Sequence, residues 1–217
     1  LHVLREQGLN FDYMVGSTVA GFDTMVRLTE DAPVIILEGD EYLASPIDRR
    51  PKFHLYKANI GLISGIAWDH INVFPTFDSY RKCFSDFIGL IESGGMLAWC
   101  GLDPELRKVV EESRASVRKQ EYVLPPHRIS NGVTVLCPTD GPEVPLRVFG
   151  DHNLLNLEGA RLICAELGIE AVSFCGADGR RNPWLRCAAR VAEGLALGWS
   201  RAALPDARGS GAAERSE

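Results

Sequence analysis

Acidic and histidine side chains follow two apolar segments of the sequence directly. Glu38 comes after the apolar residues 34–37, and Asp69 and His70 come after residues 60–68. In an open parallel sheet, ligands bind beyond the carboxyl ends of the strands. A carboxylate at that place is how phosphate-transferring α/β proteins hold Mg²⁺, which keeps waters and phosphate oxygens as its other ligands. This spacing therefore predicts a metal and phosphate site, and a charged loop with a hydrogen-bonded histidine is the alternative.

Three basic side chains follow Glu38 in the next loop: Arg49, Arg50 and Lys52. Arginine presents a planar fork of donors that matches a carboxylate or a phosphate in two places. The cluster is suited to a large anionic ligand, and a solvated surface patch is the alternative for each residue. We expect Arg50→Ala to weaken the use of such a ligand more than it weakens binding at the predicted metal and phosphate site.

The composition indicates a globular protein without a nucleic-acid partner. The chain has 217 residues, 46% of them hydrophobic, and a formal net charge of -6, whereas phosphate-backbone binders usually carry a basic surface. No apolar run approaches the roughly 18 residues of a membrane span. The cysteines are dispersed without a C-x-x-C pair, which indicates neither zinc nor disulfides and fits a reducing cytoplasm: Cys83, Cys100, Cys137, Cys164, Cys175 and Cys187.

Apolar segments alternate with helical patterns over the first half of the chain, which predicts an α/β fold with a mostly parallel sheet flanked by helices. After a helix that ends at Gly8, strands are predicted at "FDYMVG", "APVIILEG", "NIGLISGIAW" and "MLAWC". The second of these is apolar on both faces, as in a strand covered on both sides. Helices are predicted at "TFDSYRKCFSDFIGLIESGG" and at "LDPELRKVVEES", where Asp103 is the N-cap and Pro104 the first helical residue.

The pattern changes from Val117 onward. Short strands are predicted at "VRKQEYVL", "GVTVLCP" and "VPLRVFG", with turns at "PPHRISN" and "TDGPE" between them, which indicates a small antiparallel section. A last helix is predicted at "HNLLNLEGARLICAELGI", with Leu154, Leu157, Leu162 and Ile163 on one apolar face. Residues 173–217 are rich in Ala, Arg and Gly, so we interpret them as a tail that is either disordered or translated from a shifted frame.

Three segments in this order, "LEGDEY", "GIAWDHINVF" and "VFGDHNLLNLEGA", resemble the central domain of the Mur ligase family, ATP-dependent enzymes that form amide bonds in bacterial cell-wall assembly. The resemblance spans residues 1–177. The segment "DEYLASPIDRRPKFHLY" is most similar to the branch that joins UDP-N-acetylmuramate to L-alanyl-γ-D-glutamyl-meso-diaminopimelate, and a sister branch uses L-alanine instead. A folate polyglutamylating enzyme of the same superfamily is disfavoured by this segment.

The resemblance implies a role for each candidate residue. Glu38 would bind the Mg²⁺ that bridges the ATP phosphates, and His70 would lie at a second metal or at the acyl-phosphate. The adenine would be contacted by residues of one helix start: His152, Asn153 and Asn156. Helix capping is the alternative for these three. Arg49, Arg50 and Lys52 would bind the muramate nucleotide or the peptide, and no carbamylated lysine is expected because Ser85 lies near its place.

The family's phosphate loop, G-x-x-x-x-G-K-[ST], is absent from the printed sequence. We therefore expect residues 1–172 to be a central ATP-binding domain truncated at its N-terminus and inactive alone, with 173–217 as the anomalous tail. The complete enzyme would phosphorylate the muramate carboxylate and let the amine attack the acyl-phosphate. A non-catalytic nucleotide-binding module is the rival from another class, since it would lack the loop naturally.

Overall fold

The computed structural model describes residues 1–139 and 143–169. It confirms the α/β fold class. The helices are α1 (His2–Glu6), α2 (Phe77–Leu90), α3 (Pro104–Glu112) and α4 (Asp151–Glu166), with a 3₁₀-helix at Lys52–Leu55. The strands are β1 (Asp12–Met14), β2 (Val26–Arg27), β3 (Ile35–Leu37), β4 (Ile60–Ile63), β5 (Met96–Cys100), β6 (Arg118–Tyr122), β7 (His127–Ser130), β8 (Val133–Leu136) and β9 (Val144–Leu146).

The described strands form three sheets of three strands each. The first has the order β2-β1-β3, with β1 parallel to β3 and antiparallel to β2. The second, β4-β5-β6, is entirely parallel, and the third, β7-β8-β9, is antiparallel. The parallel strands thus divide between two sheets, and the connection from β3 to β4 contains a loop and a four-residue 3₁₀-helix.

Two predictions about the strands are wrong. "VRKQEYVL" was assigned to the antiparallel section, whereas β6 pairs in parallel with β5 over its whole length. "PPHRISN" was assigned to a turn, whereas it contains β7, which pairs with β8. Strand partners are chosen across the fold, so the local order of polar residues and turn signals does not decide them. β3 also differs from the prediction, since Ile35 is 46% exposed and the strand is not covered on both sides.

The central parallel sheet holds the largest core of the described residues. All five residues of β5 are buried, as the sequence predicts for a strand with helices over it. The core is closed by α2 and α3, whose Ile88 and Leu106 are both 0% exposed. This rigid unit carries the loop that follows β4.

Helix α4 connects three clusters of buried residues. Leu155 packs in the core of the central sheet, Leu154 and Leu157 in the core beside the antiparallel sheet, and Cys164 against α1 and β1. The predicted apolar face is confirmed in Leu154 and Leu157 and is wider than the sequence pattern suggests. The N-terminal turn of α4, with its candidate residues, is therefore fixed to the rest of the described fold.

Within the described residues, no helix combines the length and apolar character that crossing a membrane requires. The cysteines described there are unpaired: Cys83, Cys100, Cys137 and Cys164. The predicted tail at 173–217, with Cys175 and Cys187, lies outside the described residues.

Asp103 is the N-cap of α3, as predicted, and it also ties a loop to that helix. Its Oδ1 accepts from the backbone N–H of Glu105 and of Leu106, at 2.8 and 2.9 Å, and its Oδ2 accepts from Ile66 N at 2.6 Å. We expect Asp103→Ala to lower the free energy of unfolding by about 2–3 kcal/mol, because a cap and a loop bond are lost together. Urea unfolding measures this change.

Glu111→Ala is the matched control, since this acid lies on the same helix and makes only an exposed contact with Arg107 at 4.0 Å. It should change the stability by less than about 0.5 kcal/mol. An equal loss in both variants would contradict the capping role of Asp103.

Candidate functional site

Glu38 lies directly after β3 and is tied to the neighbouring strand. Its backbone N–H donates to Met14 O at 2.9 Å, and its Oε2 accepts from the backbone N–H of Gly16 at 2.7 Å. The other carboxylate oxygen makes no hydrogen bond to the described residues, and the side chain is exposed. The carboxylate is therefore held by one oxygen, while the other has no hydrogen-bond partner among the described residues.

The chain from Asp40 to Phe53 folds back on itself, and we call this segment the 40–53 loop. Asp40 and Lys52 close it with an ion pair of 2.5 Å between Oδ2 and Nζ, and Lys52 N donates to Tyr42 O at 2.9 Å. Asp40 O also accepts from Phe53 N at 3.2 Å. Because Phe53 is buried in the core of the central sheet, the closed loop is fixed at its base.

The basic residues of the 40–53 loop differ in their partners. Arg50 makes a two-point contact with Asp48, with Nη2 2.6 Å from Oδ2 and Nε 3.0 Å from Oδ1. Lys52 is held by Asp40. Arg49 is exposed and makes no ion pair with any described residue. The structure thus leaves one of the three predicted basic ligands without a competing carboxylate.

The hydrogen bond from Arg50 holds the pKa of the Asp48 carboxyl at about 2, below its ordinary 3.8. A depressed pKa means that the ion pair adds stability above the unfolded pKa and that this contribution is lost as the pH falls through about 2. We expect Arg50→Met to return the Asp48 titration midpoint toward 3.8. Carboxyl ¹³C NMR measures the midpoint, Arg49→Met is the matched control, and an unchanged midpoint in Arg50→Met would contradict the pairing.

His70 lies in the loop after β4 in the left-handed region of backbone space, with φ of 57°. Its backbone N–H donates to Asp69 Oδ1 at 2.6 Å. Its ring lies between two residues of the 40–53 loop: Nε2 is 3.2 Å from Glu41 Oε1, and the Tyr42 ring packs edge-on at 4.5 Å between centroids. The loops that follow β3 and β4 therefore meet at His70.

Tyr56 has a buried hydroxyl that finds no hydrogen-bond partner among the described residues. Burial raises the pKa of this phenol, and the charge of Asp40 adds to the rise. Glu38 acts in the same direction, whereas Lys52 lowers the pKa. Tyr56 belongs to the segment that distinguishes the branches by resemblance, and the sequence pattern alone did not single out its hydroxyl.

The three candidate residues of α4 lie in its first turns. The helix begins after Gly150, which has φ of 85° and offers no side-chain cap. His152 is exposed, whereas Asn153 and Asn156 are half-buried. Asn153 Nδ2 donates to Phe149 O at 2.8 Å, while its Oδ1 is buried without a partner among the described atoms. This bond ties Asn153 to a residue before the helix but satisfies none of the free backbone N–H groups of the helix start, and the amide oxygen stays unused.

Two curated ligases are similar to this chain over most of its length. The UDP-N-acetylmuramate–L-alanyl-gamma-D-glutamyl-meso-2,6-diaminoheptandioate ligase of Haemophilus influenzae is 30% identical over 186 residues, which is 82% of this chain and 40% of the ligase. The UDP-N-acetylmuramate–L-alanine ligase of Renibacterium salmoninarum is 28% identical over 185 residues, covering 78% and 37% of the two chains. The chain belongs to the Mur ligase family. No protein-family model matches the sequence.

Solved structures of Mur ligases agree in fold. The UDP-N-acetylmuramate:L-alanyl-gamma-D-glutamyl-meso-diaminopimelate ligase from Neisseria meningitides has a TM-score of 0.67 at 17% identity, over 92% of this chain and 61% of that one. The MurF ligase from Thermotoga maritima, solved in complex with ADP, has a TM-score of 0.58 at 16% identity, over 81% and 43% of the two chains. The chain spans about two fifths of the length of the curated relatives named above.

Sequence reasoning missed part of the site of this Mur ligase chain. Glu41 is not among the candidates that the sequence pattern singles out, yet it contacts His70 and accepts a hydrogen bond from Tyr80 Oη at 3.1 Å. Tyr80 lies on a buried face of α2. An aromatic residue at helical spacing indicates a core residue, so the sequence does not suggest a role in the site. Near the place of the carbamylated lysine of other Mur ligases, Ser85 is exposed and Lys82 pairs with Asp86 at 2.7 Å.

Proposed function

We propose that residues 1–172 are the central ATP-binding domain of a Mur ligase that joins UDP-N-acetylmuramate to L-alanyl-γ-D-glutamyl-meso-diaminopimelate. The observation that carries the proposal is the meeting of the loops after β3 and β4, where His70 Nε2 lies 3.2 Å from Glu41 Oε1. Both loops leave the carboxyl ends of parallel strands, which is where open α/β sheets bind nucleotides. The relatives from Haemophilus influenzae and Renibacterium salmoninarum are both UDP-N-acetylmuramate ligases, the first for this tripeptide and the second for L-alanine.

Glu38 fits the role of a Mg²⁺ ligand. One of its oxygens is fixed by Gly16 N–H and the other has no hydrogen-bond partner among the described residues. Mg²⁺ in nucleotide sites uses one or two carboxylates and completes its coordination with waters and phosphate oxygens. Within residues 1–139 and 143–169, no group of three or more His, Cys, Asp or Glu side chains is placed to hold a metal, so the ATP phosphates would supply the remaining ligands. Bound Mg²⁺ would offset the charge of the transferred phosphoryl group.

The nucleotide base would lie at the start of α4. Asn153 and Asn156 are three residues apart and so project from one side of the helix. An amide both donates and accepts, which matches the edge of a purine. The unused Oδ1 of Asn153 supports this role after a side-chain rotation that breaks its bond to Phe149 O. His152 is exposed beside them.

The substrate would enter past the 40–53 loop. Arg49 is open for an anionic group, whereas Arg50 and Lys52 would exchange Asp48 and Asp40 for the ligand. The muramate carboxylate would attack the γ-phosphate of ATP, with ADP leaving, and the amine of the peptide would attack the acyl-phosphate, with phosphate leaving. His70 would lie at the second metal or at the acyl-phosphate. We expect this reaction in the cytoplasm.

A ligase assay on the complete protein that contains this chain tests the proposal. Phosphate release from ATP should require both UDP-N-acetylmuramate and an amine acceptor, and the product should carry a new amide bond. Release without the muramate nucleotide, or no release with any acceptor, would contradict it.

Two alternatives are tested beside this proposal. The relative from Renibacterium salmoninarum covers 78% of the chain and is an L-alanine ligase, so L-alanine is the second acceptor to test. A non-catalytic nucleotide-binding module is the rival from another class. Nucleotide binding without turnover in the complete protein would select the module.

A further inference from the structure

Three side chains from separate parts of the fold meet at one carboxylate oxygen, Glu41 Oε1. It accepts a hydrogen bond from Tyr80 Oη at 3.1 Å and contacts His70 Nε2 at 3.2 Å. Glu41 lies in the 40–53 loop, Tyr80 on α2 and His70 in the loop after β4. The Glu41 and His70 side chains are 22% and 28% exposed, so the contact is partly shielded from water.

Tyr80 is the rigid member of this group. It is 4% exposed, and its ring packs against Phe74 and Phe84 with centroids 5.2 and 5.1 Å away. Burial raises the pKa of its phenol, so the hydroxyl keeps its proton and serves as a hydrogen-bond donor. A donor fixed in the core fixes the carboxylate that accepts from it.

The backbone at His70 brings its ring to this carboxylate. A φ of 57° is uncommon for a residue with a side chain, and such positions persist where the surroundings hold them. Here Asp69 Oδ1 accepts from His70 N, and His70 O accepts from Val73 N at 2.8 Å and Phe74 N at 2.9 Å. The turn is therefore pinned on both sides of the ring.

We infer that Glu41 is a positioning residue that holds the His70 imidazole by Nε2 and presents Nδ1 to the ligand. The inference rests on the proposed function for the identity of that ligand, a phosphoryl group of ATP or of the acyl-phosphate. Nδ1 makes no hydrogen bond to the described residues, and its nearest carboxylate oxygen, Asp69 Oδ1, is 3.7 Å away and already accepts from the backbone. Tyr42 packs on the ring and limits its rotation.

NMR of the His70 ring nitrogens in this chain tests the geometry without any activity. We expect Glu41→Ala and Tyr80→Phe to shift both ring ¹⁵N signals and the ratio of the two tautomers, because the partner of Nε2 is lost or released. Glu41→Gln should stay close to the unchanged protein, since the amide keeps an oxygen beside Nε2 that can still accept from Tyr80. Tyr122→Phe is the matched control for Tyr80→Phe, because it removes a buried hydroxyl that has no partner among the described atoms.

Glu92→Ala is the control for Glu41→Ala, since Glu92 is an exposed acid outside the site. His70 signals that respond no more to Glu41→Ala and Tyr80→Phe than to the two controls would overturn the inference. Nucleotide binding plays no part in this readout, so failure of the proposed function is seen separately, in the ligase assay.

Turnover of the complete protein shows whether Glu41 acts by positioning His70 or by its negative charge. We expect Glu41→Ala to lower kcat roughly 10- to 100-fold, as is typical when the partner that orients a functional histidine is removed. Glu41→Gln should remain within about threefold of the unchanged protein, because it keeps an oxygen of the same shape beside Nε2. A Gln variant as impaired as the Ala variant would show that the charge of Glu41 matters instead of its position, and an unimpaired Ala variant would remove Glu41 from the site.

Discussion

Replacing Glu38 by Gln in the complete protein is expected to reduce Mg²⁺-dependent ligase turnover by at least about 100-fold, because a charged metal ligand is lost. The amide keeps the shape of the side chain and an oxygen that accepts from Gly16 N–H, which is 2.7 Å from Glu38 Oε2. The fold should therefore be preserved while the negative charge disappears. Phosphate release across a Mg²⁺ titration measures the loss, and thermal unfolding measures the fold.

The Mg²⁺ titration distinguishes the loss of a metal ligand from a structural defect. A weakened metal site should need more Mg²⁺ for half-maximal turnover, whereas a structural defect would lower turnover equally at all concentrations. Glu30→Gln is the matched control, since Glu30 is an exposed acid in the segment before β3. Turnover of Glu38→Gln that equals the control would remove Glu38 from the metal site and leave the family assignment standing.

The position of Glu38 could be predicted from the sequence, and the partner of His70 could not. An apolar run followed by an acid fixes the carboxylate at the end of a strand through strand geometry alone. The contact between His70 and Glu41 joins residues 29 positions apart (70 minus 41) and depends on how two loops fold back over the core. The φ of 57° at His70 could not be predicted either, because no local sequence signal indicates a left-handed backbone conformation for a histidine.

In the fold, too, features set by local sequence could be predicted and features set by tertiary packing could not. Asp103 followed by Pro104 predicts the start of α3 because both residues act on the helix end through their own local geometry. β6 was placed in the wrong sheet because its residues Arg118–Tyr122 carry a polar sequence that resembles a solvent-facing antiparallel strand, and only its pairing with buried β5 makes it parallel. The sequence pattern predicts that β6 is a strand, and packing in the sheet determines that β5 is its partner.

The complete protein should prefer L-alanyl-γ-D-glutamyl-meso-diaminopimelate to free L-alanine by at least about tenfold in kcat/KM, because each charge-assisted hydrogen bond that the larger acceptor gains is worth about 1.5–3 kcal/mol. The tripeptide carries several carboxylates, and the 40–53 loop carries three basic side chains, of which Arg50 and Lys52 would exchange Asp48 and Asp40 for the ligand. Phosphate release with each acceptor at equal concentration measures the preference. A clear preference for L-alanine would select the sister branch and leave the ligase proposal intact.

Within the 40–53 loop, we expect Arg49 to contribute more to tripeptide binding than Arg50. The sequence singles out Arg50, but its guanidinium is held by Asp48 at two points. A ligand must displace the Asp48 carboxylate before it can form hydrogen bonds with Arg50. Arg49 is exposed and makes no ion pair with the described residues, so its whole charge-assisted bond is available to the peptide. We expect Arg49→Ala to raise the KM for the tripeptide about tenfold or more and Arg50→Ala to raise it less, with the KM for ATP unchanged in both. A larger effect of Arg50→Ala would mean that the pair with Asp48 opens when substrate binds.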